Sequence, residues 1–500
     1  MSVSGVGSQS GLAIQQLVAM RAQFDDLQRQ LSTGQKSATY AGLGLDRGVT
    51  VSLNAQLAAI GSYDDTINNV TNRISLMNVA LTRMTNIGST VKSAIAQANT
   101  TNSAMNASVA QQSAQYSLDE LLGLLNTEAG GRYLFSGRAT DQPAVLTLDQ
   151  ILNGNGAQAG LKQLISERTQ ADLGTSGLGR LTISQPLTTS VSIAEDAAPF
   201  GLKLASVTST LTNGSVSGPS GSPASLTVDL TAGNPNPGDT FTVRFNLPDS
   251  TTATLTLTAT TNSPPGANEF TIGPTSDVTA TNLQNALTTA IGRLAGGALS
   301  AASAITASND FFGADVNNPP QRVAGPPFDT ATAMTAGSTA NTVIWYTGET
   351  DSNPARSTAT ARVDPSMMVS YGSRANEAGI RALVQNVATL AAVTISPSDP
   401  YAADLSAALN QRVLGNINGN SGGATIRDVT VDLANAQASL QAAKTRHQQT
   451  VGTLNDFLQQ IQGVSNEQVG SQILALQTRM QASMQTTAML FQTSLVNYLR

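Results

Sequence analysis

The chain has 500 residues and a net charge of −6, and only 12% of its residues are charged, about half the usual share. Lysine and arginine are thinly spread, which argues against a nucleic-acid surface, where clustered cations must displace counterions. The absence of cysteine excludes disulfides, thiolate metal sites and a cysteine nucleophile. No stretch of about 18 apolar residues is present to span a membrane. The first twenty residues have neither the basic nor the apolar region of a signal peptide, so any export is expected by another route.

In chain order, Ala13, Leu17, Met20, Phe24, Leu27 and Leu31 alternate spacings of four and three. That spacing predicts a helix with a heptad seam, stopped by Ser32-Thr33-Gly34. The glycine-rich stretch 39–48 breaks the helix. A longer seam starts at Leu53. One line runs Ile60, Ile67, Ile74, Leu81, Gly88, Ile95 and the other Tyr63, Val70, Met77, Met84, Val91, Ala98. A period of seven held this long predicts a coiled-coil-type helix. A further helix through Leu118, Leu121, Leu122 and Leu125 ends at Gly130-Gly131. The chain then enters GGRYLFSG as an extended segment. Alternate residues of an extended chain face the same way, so Tyr133 and Phe135 are expected against the helical bundle and Leu134 away from it.

The middle is rich in Thr, Ser, Gly, Ala and Pro. Strands are predicted at 226–230, 241–247 and 253–257, with a turn at Pro248-Asp249-Ser250. Further strands are expected at Val343-Ile344-Trp345-Tyr346 and at 362–371. Helices are expected at 283–294 and 376–390, and surface loops at 213–223, 231–239 and 311–329. Near the C-terminus, one line reads Ile426, Leu433, Leu440, His447, Leu454, Ile461 and the other Val429, Ala436, Ala443, Thr450, Phe457, Val464. After a break at 463–466, a last helix lines up Val469, Ile473, Leu476, Met480, Met484, Ala488, Phe491, Leu495 and Tyr498.

A single amphipathic helix cannot bury its own stripe. Seams at both ends therefore predict N- and C-terminal helices packed on each other, with the middle projecting sideways. The fold class is mainly α at both termini, with long paired coiled-coil-type helices and an inserted α+β, β-rich middle. Five segments follow: assembly helix 1–45, N-terminal half of the helical core 46–140, outer α+β region 141–420, C-terminal half of the core 421–464, and assembly helix 465–500.

Candidate chemistry is sparse. His447 is the only histidine and its nearest acid in sequence, Asp456, is nine residues on, so it reads as a seam filler without an acid–base partner. Asp25-Asp26, Asp64-Asp65 and Asp119-Glu120 are adjacent pairs that diverge by about 100° on a helix and read as solvated faces. Gly42-Leu43-Gly44 lacks the lysine and preceding strand of a phosphate loop. The seam methionines Met77, Met84, Met480 and Met484 read as filling, and Trp345 as a core anchor in a strand. Neither catalysis, nor a cofactor, nor a metal is expected.

The segment Leu27-Gln28-Arg29-Gln30-Leu31-Ser32-Thr33-Gly34 resembles the LxxQLSTG-type stretch that ends the first helix of the bacterial flagellin family, and 57–99 resembles the long helix that follows it. The family's SDDPA-type segment is replaced by 40–47. Residues 126–137, ending in Gly131-Arg132-Tyr133-Leu134-Phe135-Ser136-Gly137, resemble the GxYxFxG segment of the hook–filament junction (hook-associated) branch, as does 491–499. The resemblance implies a structural, non-enzymatic subunit of the extracellular flagellum, exported unfolded by the flagellar type III route. Its implied partners are its own copies, other axial proteins (hook-associated protein and flagellin) and an export chaperone. A filament flagellin is the alternative within the family, and a secreted adhesin the reading outside it. The residues expected at the assembly interface are Leu17, Met20, Phe24, Leu27, Leu31, Ile60, Ile67, Ile74, Leu81, Tyr133, Phe135, Leu433, Leu440, Leu454, Phe491, Leu495 and Tyr498.

Overall fold

The computed structural model describes residues 4–101, 104–396, 398–418 and 425–498, with side chains for 11–98, 109–396, 398–418, 425–489 and 492. The chain divides into two compact units. One is Met1–Thr71 with Ala361–Val369 and Ala438–Arg500; the other is Asn72–Thr360 with Ser370–Gln437.

Helix α1 (Ser4–Thr33) stops at Gly34. That residue takes the left-handed φ of +66°, and its N–H donates to the Gln30 carbonyl at 2.8 Å. This is the helix end that glycine permits without Cβ strain. Residues Tyr40–Asp46, expected only as a break, form a 3-10 turn interrupted at Gly44. Helix α2 (Arg47–Thr101) therefore starts upstream of the Leu53 seam.

In the second unit come α3 (Ala104–Leu125), α4 (Leu148–Asn153), a small ladder of β1 (Gly154–Asn155) and β2 (Gln158–Ala159), and α5 (Leu161–Leu173). Eight strands follow: β3 (Leu181–Leu187), β4 (Ser190–Glu195), β5 (Lys203–Ser209), β6 (Ser215–Gly221), β7 (Ala224–Asp229), β8 (Thr240–Asn246), β9 (Thr252–Thr260) and β10 (Glu269–Thr271). They form two four-stranded sheets, ordered β10-β9-β8-β5 and β3-β4-β7-β6, with only the β10–β9 pair parallel. The alternating residues predicted from the sequence, among them Leu226, Val228, Phe241, Val243, Phe245, Leu255 and Leu257, share one core with Leu283, Leu287 and Ile291 of α6 (Ser276–Leu294). Period-two patterning on the strands and 3.6-residue patterning on α6 put these apolar side chains on the shared face.

A π-helical turn, Ala295–Leu299, joins α6 to α7 (Ser300–Gly313). Its glycines accept a close neighbour: a Cβ on Gly296 would lie 2.3 Å from the Tyr401 ring, and one on Gly297 2.8 Å from Asp404 Cβ. Helix α9 (Ala402–Ile417) starts at that contact, and Asp404 takes a bidentate pair of 2.8 Å bonds from Arg293. Between α7 and α9 lie the short pair β11 (Arg322–Val323) and β12 (Met334–Thr335), the hairpin β13 (Thr360–Asp364) and β14 (Met367–Ser370), and α8 (Ala378–Ala392). Helix α8 packs against α3, α7 and α9. The chain ends with α10 (Ile426–Gln462) and α11 (Asn466–Tyr498).

Several sequence expectations for the middle change. Residues 213–223, expected as a loop, contain β6, a sheet-edge strand whose single apolar residue, Val216, leaves no alternation to read. Val343 to Tyr346, expected as a strand, pairs through a single bridge, Val145 with Tyr346. Val343, Trp345 and Tyr346 are buried without a ladder, and the Trp345 indole donates to the Phe312 carbonyl at 3.1 Å. Helices α5, α7 and α9 were not anticipated. The first five residues of α7, Ser-Ala-Ala-Ser-Ala, are all buried, so its first half shows no polar face from which a period could be read.

Candidate assembly site

The α1 seam meets α11 in the first unit. Leu27, Val469 and Leu476 form a buried cluster, with Met20, Phe24, Val464 and Ile473 packed around it. Leu17 is half-buried, and Leu31, at the end of the same line, stays 43% exposed. The side chains of Phe491, Leu495 and Tyr498 lie outside the described residues.

The turn after α1 is laced to the α10–α11 junction by backbone bonds that apolar periodicity does not encode. Val464 N–H donates to Gly34 O at 3.0 Å, and Lys36 N–H to Gln462 O at 2.7 Å. The Lys36 ammonium donates to Ile461 O at 2.8 Å. It sits where the last carbonyls of α10 lack helical partners and the helix dipole favours a cation. Arg29 reaches the Lys36 carbonyl at 3.0 Å while its other contact, Asp26, lies at 2.7 Å. The hydrogen bond from Arg29 holds the Asp26 carboxyl below the usual range.

Further along α2, Ile60 is half-buried and Ile67 fully buried in the first unit, while Ile74 and Leu81 are fully buried in the second. Ala80 and Ile87, on neither predicted line, are buried as well. The covered face is thus wider there than a two-line seam, as in a helix set within a globular core. On α10, Leu433, Leu440 and Leu454 are buried, but Thr450 and Phe457 of the second line are exposed.

His447 differs from its sequence reading. Its Nδ1 lies 2.7 Å from Asp64 Oδ1, its Nε2 4.0 Å from Asp364 Oδ2, and its ring centroid 6.1 Å from that of Tyr63. Asp64 is therefore not a solvated carboxylate but the polar partner of a buried imidazole. Nearby, Lys444 bonds Asn68 at 2.9 Å. A polar row thus ties α10 to α2 within the first unit. Among the described residues, no group of three His, Asp or Glu residues is arranged to hold a metal. No described helix is long and apolar enough to cross a membrane.

The GGRYLFSG segment also departs from simple alternation. Gly130 and Gly131 both have positive φ, and Ala129 N–H donates to Arg132 O at 2.9 Å, making a tight reversal that pairs Glu128 with Tyr133. Phe135 is fully buried, whereas Tyr133 and Leu134 are both half-buried. The Tyr133 hydroxyl bonds Glu128, which raises its pKa. Beyond it, the Phe135 carbonyl accepts from Ala375 N–H at 2.8 Å and Gly137 N–H donates to Ser373 O at 3.3 Å. Phe135 alone is the apolar anchor. The Asn126 amide secures the approach by bonding both backbone groups of Val145, at 2.9 and 3.0 Å.

Most of the expected interface residues are covered within the chain. Ile67, Ile74, Leu81, Phe135, Leu433 and Leu440 are covered by the chain itself. Of the expected residues with described side chains, Leu31 stays exposed, and most of the bare apolar surface of the first unit lies elsewhere. On α1, Ile14 and Val18 are one turn apart, off the seam, and 52% and 64% exposed. Leu45, Val49 and Val51 are exposed beside the 3-10 turn, as are Leu474 and Met484 on α11. Helix α1 is therefore apolar on two sides, and α11 covers one of them.

Residues 10–140 match the family model of the bacterial flagellin N-terminal helical region. No curated protein matches the chain. The match covers about a quarter of the chain, and in that stretch the chain is similar to the N-terminal helical region of bacterial flagellins.

Proposed function

We propose that this chain is the subunit that joins hook to filament in the bacterial flagellum, by packing its helices onto those of neighbouring subunits. The observation that carries an assembling role is the second apolar line of α1, Ile14 and Val18, left bare beside the face that α11 covers. Water does not stabilise such a line, and burying each side chain contributes about 1.5–3 kcal/mol. Repeated around a ring, a few such contacts per subunit hold an assembly together while leaving the exported monomer soluble. The choice of junction over filament rests on the likeness of 126–137 and 491–499 to the junction branch. Export is unfolded, through the flagellar type III apparatus with a chaperone, and the terminal helices order fully against neighbouring copies and the adjoining hook-associated protein and flagellin.

Deleting the gene tests the junction role, with cells read by electron microscopy and the medium by gel. Intact hooks without filaments, with unpolymerised flagellin in the medium, are expected. Shortened filaments without such a spill would make the chain a filament flagellin instead. Ile14→Asp tests the surface. The variant should be exported and folded but absent from flagella, because a carboxylate on that line is costly to bury. Normal incorporation would overturn the role given to α1.

A further inference from the structure

We propose that the second unit carries a binding groove for a short acidic peptide. A cleft of about 860 Å³ lies among α2, α7, α8, α9, the start of α10 and the β8–β9 turn, within the size range of ligand sites. All its lining residues belong to one unit.

Its charge is opposite to that of the chain. Lys92, Arg381, Arg412 and Arg427 line it against one carboxylate, Asp249. The groove thus has three net positive charges in a protein of net charge −6. Asp249 is not free to neutralise them. It is buried and bonded by Arg412 Nε at 2.6 Å, and Arg412 also reaches Thr251 Oγ1 at 3.2 Å. Lys92, Arg381 and Arg427 have no carboxylate within ion-pair distance among the described residues. Asp428, next to Arg427 in sequence, accepts the N–H and hydroxyl of Thr425 at 2.6 and 2.9 Å; its charge acts on Arg427, but it makes no direct ion pair with it and does not line the cleft.

The remaining wall is made of amides. Gln385 bonds Asn309, and Asn416 Nδ2 donates to Asn386 Oδ1 at 3.1 Å. Each primary amide carries two donors and an acceptor with two lone pairs, so these pairs retain groups that match the N–H and C=O of a peptide. Among the described residues no aromatic ring lines the cleft, so they offer no stacking platform for a sugar ring or a nucleobase. Cations for carboxylates and amides for peptide groups together select an acidic peptide. Its partner is a protein with an exposed acidic segment.

The test uses the full-length protein and a fluorescein-labelled hexapeptide of alternating glutamate and glycine, read by fluorescence anisotropy. Saturable binding is expected, weakening steeply with salt. Replacing glutamate by glutamine in the probe should abolish it. Arg381→Gln, at a half-buried position, and Arg427→Gln, at an exposed one, should each weaken binding about tenfold, since each removes one charge-assisted contact. Circular dichroism melts establish that each variant is folded, and two separate positions guard against misfolding of either. Absence of saturable binding, or binding unchanged in both variants, would overturn the proposal. So would competition by inorganic phosphate, or by trigalacturonic acid, at concentrations below those needed for unlabelled peptide. Phosphate would indicate a plain anion site and the uronic acid trimer a saccharide site.

Discussion

Replacing Phe135 with alanine removes a fully buried ring from the second unit while leaving the segment's backbone bonds, such as Ala375 N–H to Phe135 O at 2.8 Å, free to persist. The loss is therefore one of packing, and truncating a buried phenylalanine costs about 3–5 kcal/mol. Tyr133→Ala removes a half-buried ring and its bond to Glu128, costing roughly 1 kcal/mol. The unit holds about 360 residues, and unfolding entropy is about 2.1 cal/mol/K per residue, so each kcal/mol lowers Tm by about 1.3 °C. Calorimetry should show a fall of about 4–7 °C for Phe135→Ala and about 1–2 °C for Tyr133→Ala, in the transition of the second unit. Equal effects would refute the assignment of Phe135 as sole anchor and restore the two aromatics as an equivalent pair.

Asp64→Ala should destabilise the first unit by about 1–3 kcal/mol, because it leaves a buried imidazole nitrogen without its partner. In urea titrations, the double variant with His447→Leu should cost less than the sum of the two single changes. The second expectation concerns acid. Burial opposes the Asp351 charge, but bonds from Asn353 and Arg374 hold its pKa down to about 2. A carboxylate depressed in the folded state contributes stability above its unfolded pKa of about 3.9 and loses it as pH falls toward 2. Asp351→Asn should therefore flatten the fall in Tm between pH 4 and pH 2, and an unchanged profile would show that other carboxylates carry it.

The terminal helices were legible because their signal is local. Apolar spacings of three and four at Leu17, Met20, Phe24 and Leu27, or at Ile67, Val70, Ile74 and Met77, are determined by neighbours on one helix. Strands β7, β8 and β9 were legible for the same reason, with period two in place of 3.6. The partners of these patterns were less visible. The sequence marks the α1 line that α11 covers, but not that α11 is its partner or that Ile14 and Val18 stay bare beside it.

What the amino-acid order determined alone is the strongly periodic elements, the terminal helices and strands β7 to β9, and the release of the chain from helix at Gly130-Gly131. Tertiary structure decided the rest: which of Tyr133 and Phe135 is the anchor, that Asp64 answers His447 from 383 positions away, and that cations from α2, α8, α9 and α10 surround one groove. The physical reason is range. A helix or strand period is set by backbone geometry over a few residues, whereas charge pairing and burial depend on which helix faces pack together.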